Sequence, residues 1–254
     1  MIKDNLGSRM KEYYEEIPKI KLTRRVPVVI RIDGKAFHTF TRGMKKPFDN
    51  IFMKTMQMTA QYLCENVQGC KLAYVQSDEI SLLVTDFEKL TTSAWFDYEV
   101  QKMCSVSASM ATVAFNRFYA ENIANDTENE EEFKKYAEKL YKACFDSRCF
   151  NIPKEEVTNY FYWRQVDAER NSINSLAQSL YSAKELSGIG RKDLVSKMET
   201  EKCVIWGNLS TSQKRGTCIV KTGTGWSIDS NIPRFVNEDR AYIERFLMTN
   251  EEDQ

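Results

Sequence analysis

The order of predicted elements indicates an α+β fold built on a βαββαβ sheet, the split βαβ arrangement of ferredoxin-like domains. Short apolar, β-branched runs indicate the strands, and longer stretches with apolar residues three or four positions apart indicate the helices. The chain has 254 residues and 42% hydrophobic content, enough to bury a sizeable core. We therefore expect a single domain over 1–254, with a core over about 24–182 and an extension over about 183–254.

The first strand and the first long helix carry acidic residues at their ends. Residues 26–32 form an apolar, β-branched run that stops at Asp33 and Gly34, a common turn pair. Asp49 is expected to cap a helix that ends near Gly69. The inner face of this helix is expected to carry Phe52, Met56, Ala60, Leu63 and Val67.

A hairpin and a second long helix are expected next. Residues 71–75 and 80–85 have the composition of strands, and the polar group 76–79 between them suits a tight turn. Small and apolar residues near helical spacing then predict a helix over 96–122 that packs against the sheet.

The remaining elements complete the βαββαβ order. An acidic loop over 126–132 is expected to open a helix over 133–143, and 145–150 resembles a further strand. Pro153 fits the first position of another helix. A turn at 223–225 between two short apolar runs predicts a C-terminal hairpin extension.

The composition disfavours two common kinds of site. The chain has 7 cysteines, no Cys-x-x-Cys pair and a single histidine, His38. A zinc site or a Ser-His-Asp triad is therefore poorly supplied, and carboxylates with hard cations are the natural alternative. The absence of a long apolar run or a signal peptide, together with unpaired thiols, predicts a soluble, cytoplasmic protein.

Net charge gives no general attraction to nucleic acid. Lys plus Arg and Asp plus Glu both number 36, so any RNA-binding surface must be local. Several basic clusters are candidates, including 19–25, 184–197 and 214–215, although each also fits an ordinary solvated face.

The predicted topology brings two carboxylates together. A βαββαβ sheet places the end of its first strand beside the hairpin between its second and third strands, so Asp33 and Asp78 should converge. Mg²⁺ prefers one or two protein carboxylates together with phosphate oxygens and water, and a pair of such ions suits phosphoryl displacement. An ordinary Asp-Gly turn and an ordinary polar hairpin explain the same residues, so the pattern alone leaves both interpretations open.

Six segments together resemble a known family. In order they are Arg31-Ile32-Asp33-Gly34-Lys35-Ala36-Phe37-His38, Lys46-Pro47-Phe48-Asp49, Gln76-Ser77-Asp78-Glu79, Phe145-Asp146-Ser147-Arg148, Trp163-Arg164-Gln165-Val166-Asp167 and Arg215-Gly216-Thr217. They are similar to the successive motifs of the tRNA-His guanylyltransferase family. The resemblance implies a polymerase-palm core and a nucleotidyltransferase that acts on the 5′ end of tRNA with two Mg²⁺ ions.

The resemblance also implies roles for the acidic residues. Asp33 and Asp78 match the metal-binding aspartates of the family, and the carbonyl of Gly34 matches an additional metal ligand. Glu79 matches a neighbouring catalytic acid whose direct coordination of the metal is left open.

Further residues match positions that bind nucleotide or tRNA. Lys46, Ser77 and Lys102 match groups that bind the triphosphate, and His38 and Asp49 match the nucleoside pocket. Arg31 matches an arginine linked to 5′-end activation. Arg164, Asn171 and Arg215 match positions that contact the incoming nucleotide or the tRNA. A structural role is the alternative for each. Lys46 and Lys102 could be surface lysines, His38 a core histidine with a partner, and Arg31 or Arg164 a member of an ion pair.

One segment departs from the tRNA-His-specific members. Those proteins have His-Ile-Asn-Asn-Leu-Tyr-Asn where this chain has residues 169–175, Glu-Arg-Asn-Ser-Ile-Asn-Ser. In this segment the chain resembles the guanylyltransferase-like branch of the family. The resemblance implies template-directed, 3′-to-5′ repair of truncated tRNA with GTP, ATP and other nucleoside triphosphates. It also implies a homotetramer. The alternatives are a dedicated tRNA-His guanylyltransferase that adds one G, a nucleotide-cyclase-like palm enzyme and a catalytically silent tRNA-binding protein.

Overall fold

A computed structural model describes residues 5–248 and contains one six-stranded antiparallel sheet in the order β4-β1-β3-β2-β5-β6. The strands are β1 (Val28–Gly34), β2 (Cys70–Gln76), β3 (Glu79–Val84), β4 (Phe145–Asn151), β5 (Thr217–Thr222) and β6 (Gly225–Asp229). The predicted α+β class and C-terminal hairpin are confirmed. Residues 1–4 and 249–254, which include the N-terminus used to argue against a signal peptide and both ends of the predicted domain, lie outside the described residues.

The first four strands have the order of a split βαβ sheet. β1 pairs with both β3 and β4, and β2 pairs with β3, so Asp33 lies opposite Glu79 on one side and Asp146 on the other. β5 pairs with β2 along the opposite edge. The C-terminal hairpin therefore lengthens the same sheet, although the sequence indicated only that it extends the core.

Helices cover both faces of the sheet. They are α1 (Asn5–Met10), α2 (Phe37–Phe40), α3 (Asn50–Asn66), α4 (Val100–Asp126), α5 (Glu130–Ala137), α6 (Lys154–Leu180), α7 (Ala183–Leu186), α8 (Arg191–Lys202), α9 (Thr211–Arg215) and α10 (Ala241–Glu244). A π-helical segment (Lys11–Glu15) follows α1, and short 3₁₀ turns lie at Trp95–Tyr98, Trp206–Asn208, Asn237–Arg240 and Arg245–Leu247. None of the helices in residues 5–248 has the length and apolarity needed to cross a membrane.

Three helix boundaries differ from the prediction. α4 begins at Val100, after the 3₁₀ turn Trp95–Tyr98, because Phe96 and Asp97 inside that turn have left-handed backbone angles that an α-helix cannot contain. α5 takes in part of the predicted acidic loop because the side chain of Asn129 accepts a hydrogen bond from the N–H of Glu132 and caps the helix. The acids then lie in the first turn, where the helix dipole favours negative charge. Pro153 occupies the cap position of α6, so it precedes the first helical residue.

Alternation along β1 separates two buried cores. Val28, Ile30 and Ile32 pack with α3 and α4, and Val29 packs with α6 on the opposite face. Successive strand residues point to opposite faces, so Arg31 and Asp33 share the α6 face with Val29. A third, smaller core joins the end of α6 to α7 and α8. The sheet thereby presents the predicted site residues of β1 towards α6.

Candidate active site

The end of β1 meets the hairpin between β2 and β3, as the topology predicts. The backbone N–H of Gly34 donates to the carbonyl of Asp78 across 3.0 Å, and Asp33 lies opposite Glu79 in the β1–β3 register. The side chain of Asp33 is 33% exposed, and among residues 5–248 its one ion pair is the 4.0 Å contact with Arg31. Two acidic positions thus meet at one end of the sheet, fixed by backbone hydrogen bonding.

The hairpin tip is a two-residue loop, Ser77 and Asp78. Ser77 has φ +50°, a left-handed conformation that is uncommon for a residue with a side chain and is often found at functional sites. Burial raises the pKa of the Asp78 carboxyl above its usual value, and the negative charge of Asp33 raises it further, although a hydrogen bond from Ser77 opposes this. A cation between the two carboxylates would remove their repulsion.

Asp33 and Asp78 suit Mg²⁺ better than they suit a metal ion whose ligands are all protein side chains. Within residues 5–248, no group of three or more His, Cys, Asp or Glu side chains is placed to hold a metal ion. Mg²⁺ needs only one or two carboxylates when substrate phosphates and water complete its coordination. Asp33 and Asp78 fit that requirement, and their metal-binding role stays a prediction.

Glu79 lies in a buried ion pair with two arginines. Arg164 donates to both of its carboxylate oxygens at 2.7 Å, and Arg31 approaches one of them at 2.8 Å. The side chains of Arg164 and Glu79 are 5% and 4% exposed. Burial raises the pKa of Glu79, whereas the two arginines lower it. Arg164 also contacts Asp167 at 2.9 Å, so the hairpin is tied to α6 through charge.

A cavity of about 260 Å³ opens beside this hairpin. Its wall comes from the loop before α3, from the hairpin, from one face of α6 and from the segment around α9. The lining residues are Thr41, Met44, Lys45, Lys46, Pro47, Phe48, Asp49, Phe52, Met53, Gln76, Ser77, Ala168, Asn171, Ser172, Ser175, Gln178, Ser212, Gln213 and Gly216. Most of the α6 and α9 wall is therefore made of amides and hydroxyls.

Gly216 allows this wall to approach the sheet. It has φ +83°, and a Cβ at this position would lie 2.5 Å from the carbonyl oxygen of Val75. Any other residue would therefore push the α9 segment away from β2. The adjacent carbonyl of Arg215 accepts a 2.6 Å hydrogen bond from Tyr74, which fixes the same contact.

The loop that carries Lys46 is fastened to α5. Asp49 caps α3 by accepting from the N–H of Phe52 at 2.9 Å, which confirms its predicted capping role. Its second oxygen accepts from the N–H of Lys45 at 3.0 Å and from the hydroxyl of Tyr136. Lys45 also pairs with Glu128 and Glu132, at 2.7 and 2.9 Å. Asp49 is 6% exposed, so its carboxylate serves mainly to hold the wall of the cavity.

The structure brings together some of the predicted site residues. Lys46, Ser77, Asp49 and Asn171 line the cavity, next to Asp33 and Asp78 on the sheet. Arg31 and Arg164 lie behind them in the ion pair with Glu79, which is the structural alternative for both arginines. Their proposed roles toward nucleotide or tRNA stay predictions, as does the role of Glu79 as a catalytic acid.

Three predicted residues lie apart from the cavity lining. His38 is exposed on α2, so the alternative of a core histidine with a partner is wrong, and its role in a nucleoside pocket stays a prediction. Arg215 pairs with Glu169 of α6 at 3.5 Å, and its role toward nucleotide or tRNA stays a prediction. Lys102 is exposed on the first turn of α4, where it lies over the ring of Phe96.

The position of Lys102 follows from how α4 packs. Two residues later, the thiol of Cys104 lies 3.6 Å from that of Cys149 on β4. Cys149 pairs with Ile30, which precedes Asp33 on β1 by three residues. The first turns of α4 therefore lie toward the end of the sheet away from the two aspartates.

Several residues that the structure places around the site were not predictable from the sequence. Tyr136 was one aromatic residue in a predicted helix, and nothing in its spacing indicated contact with Asp49. Asp146 lies opposite Asp33 in the sheet and pairs with Arg148 at 3.0 Å. Gln178 and Gln213 complete the polar wall from two distant segments. Only the pairing of β1 with β4 offered a signal, and it applied to Asp146 alone.

Comparison with known proteins gives a consistent family. A family model described as tRNA-His guanylyltransferase matches residues 7–153. An uncharacterized protein of Acanthamoeba polyphaga mimivirus is 29% identical over 231 residues, 87% of this chain and 78% of the viral protein. A probable tRNA(His) guanylyltransferase of Dictyostelium discoideum is 31% identical over 165 residues, 64% of this chain and 57% of that protein. The match therefore spans little more than half of the Dictyostelium protein.

Solved structures extend the similarity over nearly the whole chain. A bacterial tRNA(His) guanylyltransferase (Thg1)-like protein in complex with ATP has a TM-score of 0.84 and 45% identity, covering 95% of this chain and 98% of that one. A bacterial protein of the same description in complex with GTP has a TM-score of 0.75 and 40% identity over the same shares. The Saccharomyces cerevisiae tRNA(His) guanylyltransferase has a TM-score of 0.67 at 22% identity, covering 84% of this chain and 93% of that one, and is similar in fold.

Proposed function

Because the chain belongs to the tRNA-His guanylyltransferase family, a family of nucleotidyltransferases, we propose that it extends the 5′ end of truncated tRNA by template-directed, 3′-to-5′ nucleotide addition. The observation that carries this proposal is the pair Asp33 and Asp78 at one end of the antiparallel sheet, beside a cavity of about 260 Å³. Ser77, which lines the cavity, is the immediate neighbour of Asp78.

The two aspartates would hold Mg²⁺. When bound, such ions stabilise the attacking and leaving oxygens of a phosphoryl transfer. Lys46 would contact the triphosphate as a compact positive charge, and the hydroxyl of Ser77 would donate to it. The bacterial relatives in complex with ATP and GTP support nucleotide binding by this chain.

The reaction forms one phosphodiester bond. The 3′-hydroxyl of the incoming nucleotide attacks the 5′ phosphorus of the tRNA, which carries a triphosphate or an adenylylated monophosphate. The bond to the leaving group breaks, so pyrophosphate or AMP departs and the hydroxyl proton passes to solvent. Asp33 and Asp78 would hold the ions, which when bound would make the attacking hydroxyl more acidic, so the reaction requires no side-chain general base and fits a chain with a single histidine.

The α6 wall supports selection by the template. Asn171, Ser172 and Ser175 belong to the segment that departs from the tRNA-His-specific members, and all three line the cavity. Amide and hydroxyl groups both donate and accept, so they suit more than one base. Glu169 in the same segment is held by Arg215 and by Arg234, the latter at 3.0 Å. Base pairing with the opposite tRNA strand would then choose the nucleotide.

The test is nucleotide addition to truncated tRNAs with altered template bases. A truncated tRNA-His and an unrelated truncated tRNA are each prepared with C or A opposite the missing position. We expect GTP to be added opposite C and UTP opposite A in both tRNAs, measured as the ratio of kcat/KM for the two nucleotides. Addition of G opposite either base, or activity with tRNA-His alone, would identify a dedicated guanylyltransferase. Binding without addition would identify a tRNA-binding protein.

A further inference from the structure

A group of positive charges on the outer side of α5 has no role in the site described above. It consists of Arg42, in the loop after α2, and Lys135, Lys139 and Lys142, in α5 and the turn after it. We call these four residues the α5 basic patch. None of them makes an ion pair with a carboxylate in the part of the chain that the structure describes.

Direct contacts hold the α5 basic patch together. The ammonium of Lys139 donates to the carbonyl of Arg42 across 2.9 Å and lies 5.9 Å from the ring of Phe40. The stem of Lys135 crosses Gly43, since its Cε lies 3.1 Å from the position of a Cβ there. The N–H of Lys142 donates to the carbonyl of Lys139. The four cations therefore share one surface although they come from separate segments.

The charges in the α5 basic patch repel one another. Burial lowers the pKa of Lys139, and Lys142, Lys135 and Arg42 lower it further, whereas Glu138 raises it. Two other lysines have carboxylate partners that offset their charge: Lys134 pairs with Glu130, and Lys54 pairs with Asp126. A polyanion would relieve the repulsion within the α5 basic patch.

An exposed aromatic residue, Tyr141, lies in the same turn, between Lys139 and Lys142 in sequence. Tyr141 is 76% exposed and has φ +59°, a strained conformation for an aromatic residue. Residues held in strained backbone conformations cluster at functional sites. Exposed aromatic rings among cations are typical of surfaces that bind single-stranded or frayed nucleic acid, because each base can stack on the ring.

The α5 basic patch continues directly to the two aspartates. The N–H of Lys35 donates to the carbonyl of Cys144 across 2.8 Å, which joins the turn after Lys142 to the residues that follow Asp33. The loop that contributes Arg42 also contributes Lys45 and Lys46 to the cavity. An RNA strand that runs along this surface would bring its terminal phosphate to Asp33 and Asp78.

We propose that the α5 basic patch and Tyr141 bind the acceptor end of tRNA, with the cations on backbone phosphates and the ring on the unpaired template base. This assignment rests on the proposed function, because it supplies the RNA surface for the same site. It predicts that the affinity for truncated tRNA depends on the patch, whereas the affinity for nucleoside triphosphate does not.

The test uses the full chain and a fluorescent 5′-truncated tRNA, with Kd measured by anisotropy at several salt concentrations. Lys139→Ala/Lys142→Ala removes two phosphate contacts, so we expect Kd to rise about 30-fold near 0.1 M salt and the slope of log K against log salt to fall by about 1.5. The control Lys54→Ala/Lys134→Ala removes the same charge from ion-paired lysines and should change Kd less than about threefold.

Tyr141 is tested separately. Tyr141→Ala should raise Kd about tenfold, the effect of one lost base stack, and Tyr141→Phe should restore binding. The KM for nucleoside triphosphate at saturating tRNA should stay at the wild-type value in all these variants. Equal effects of the patch variant and its control, or an unchanged salt slope, would overturn the assignment. If the patch governs binding but the wild-type protein adds no nucleotide, the proposed function fails and the RNA surface stands.

Discussion

Removing Arg164 should destabilise the protein by about 3 kcal/mol at neutral pH. Arg164→Ala deletes both hydrogen bonds to Glu79, each 2.7 Å long, and leaves a carboxylate that is 4% exposed. Breaking a buried ion pair from one side costs about 3–5 kcal/mol. We expect the lower value because Arg31 stays 2.8 Å from Glu79. For a chain of 254 residues this corresponds to a fall in Tm of about 6 °C.

The penalty should depend on pH. Burial holds the pKa of Glu79 above its usual 4.5 in the folded protein, and losing Arg164 raises it further. A carboxyl with a raised folded pKa destabilises the folded state above that pKa, and the effect disappears below the unfolded value. The difference in unfolding free energy between Arg164→Ala and wild type should therefore be largest near neutral pH and should shrink as the pH falls toward 4.5.

Urea unfolding at several pH values measures this difference. Glu79→Gln/Arg164→Met provides the control, because it removes both charges and should recover most of the lost stability. An unfolding free energy for Arg164→Ala within about 0.5 kcal/mol of wild type at neutral pH would refute the structural role. If Arg164→Ala kept wild-type stability but lost affinity for tRNA, Arg164 would instead be assigned to RNA binding.

Three further predictions concern the site. Asp33→Ala and Asp78→Ala should each abolish nucleotide addition at saturating Mg²⁺ with unchanged circular dichroism, and near wild-type activity in either would contradict the metal assignment. Because the folded pKa of Asp78 is raised, its carboxylate destabilises the protein above that pKa, so Asp78→Asn should unfold at higher urea than wild type at neutral pH and lose this advantage below pH 3.8. Lys46→Ala should raise the KM for nucleoside triphosphate at least tenfold while the Kd for tRNA stays constant, and an equal loss of both would move Lys46 to the RNA surface.

The sequence predicted the parts of the site that depend on strand order. A strand ending in Asp33 and a hairpin tip at Asp78 must meet in a βαββαβ sheet, and the N–H of Gly34 does contact the carbonyl of Asp78. Capping of α3 by Asp49 was predictable because it depends on residues close in sequence.

The sequence could not indicate contacts that depend on how helices cross the sheet. The pairing of Arg164 with Glu79 requires a particular position of α6, and the pairing of Tyr136 with Asp49 requires α5 to fold back over the loop. The α5 basic patch was also missed because an acidic run precedes it and its fourth member, Arg42, comes from a distant segment. Such contacts carry no fixed spacing that a pattern can detect.

The hydrogen bond between Gly34 and Asp78 bears on how such enzymes diversify. It joins the main chain of Gly34, the residue after Asp33, to that of Asp78, so the sheet sets the backbone separation of the two aspartates. The amide and hydroxyl wall, by contrast, comes from α6 and the α9 segment. If the proposed function holds, mutations in that wall would alter which nucleotide is accepted while Asp33 and Asp78 keep their backbone spacing. Substrate range and chemical competence would then evolve at different rates.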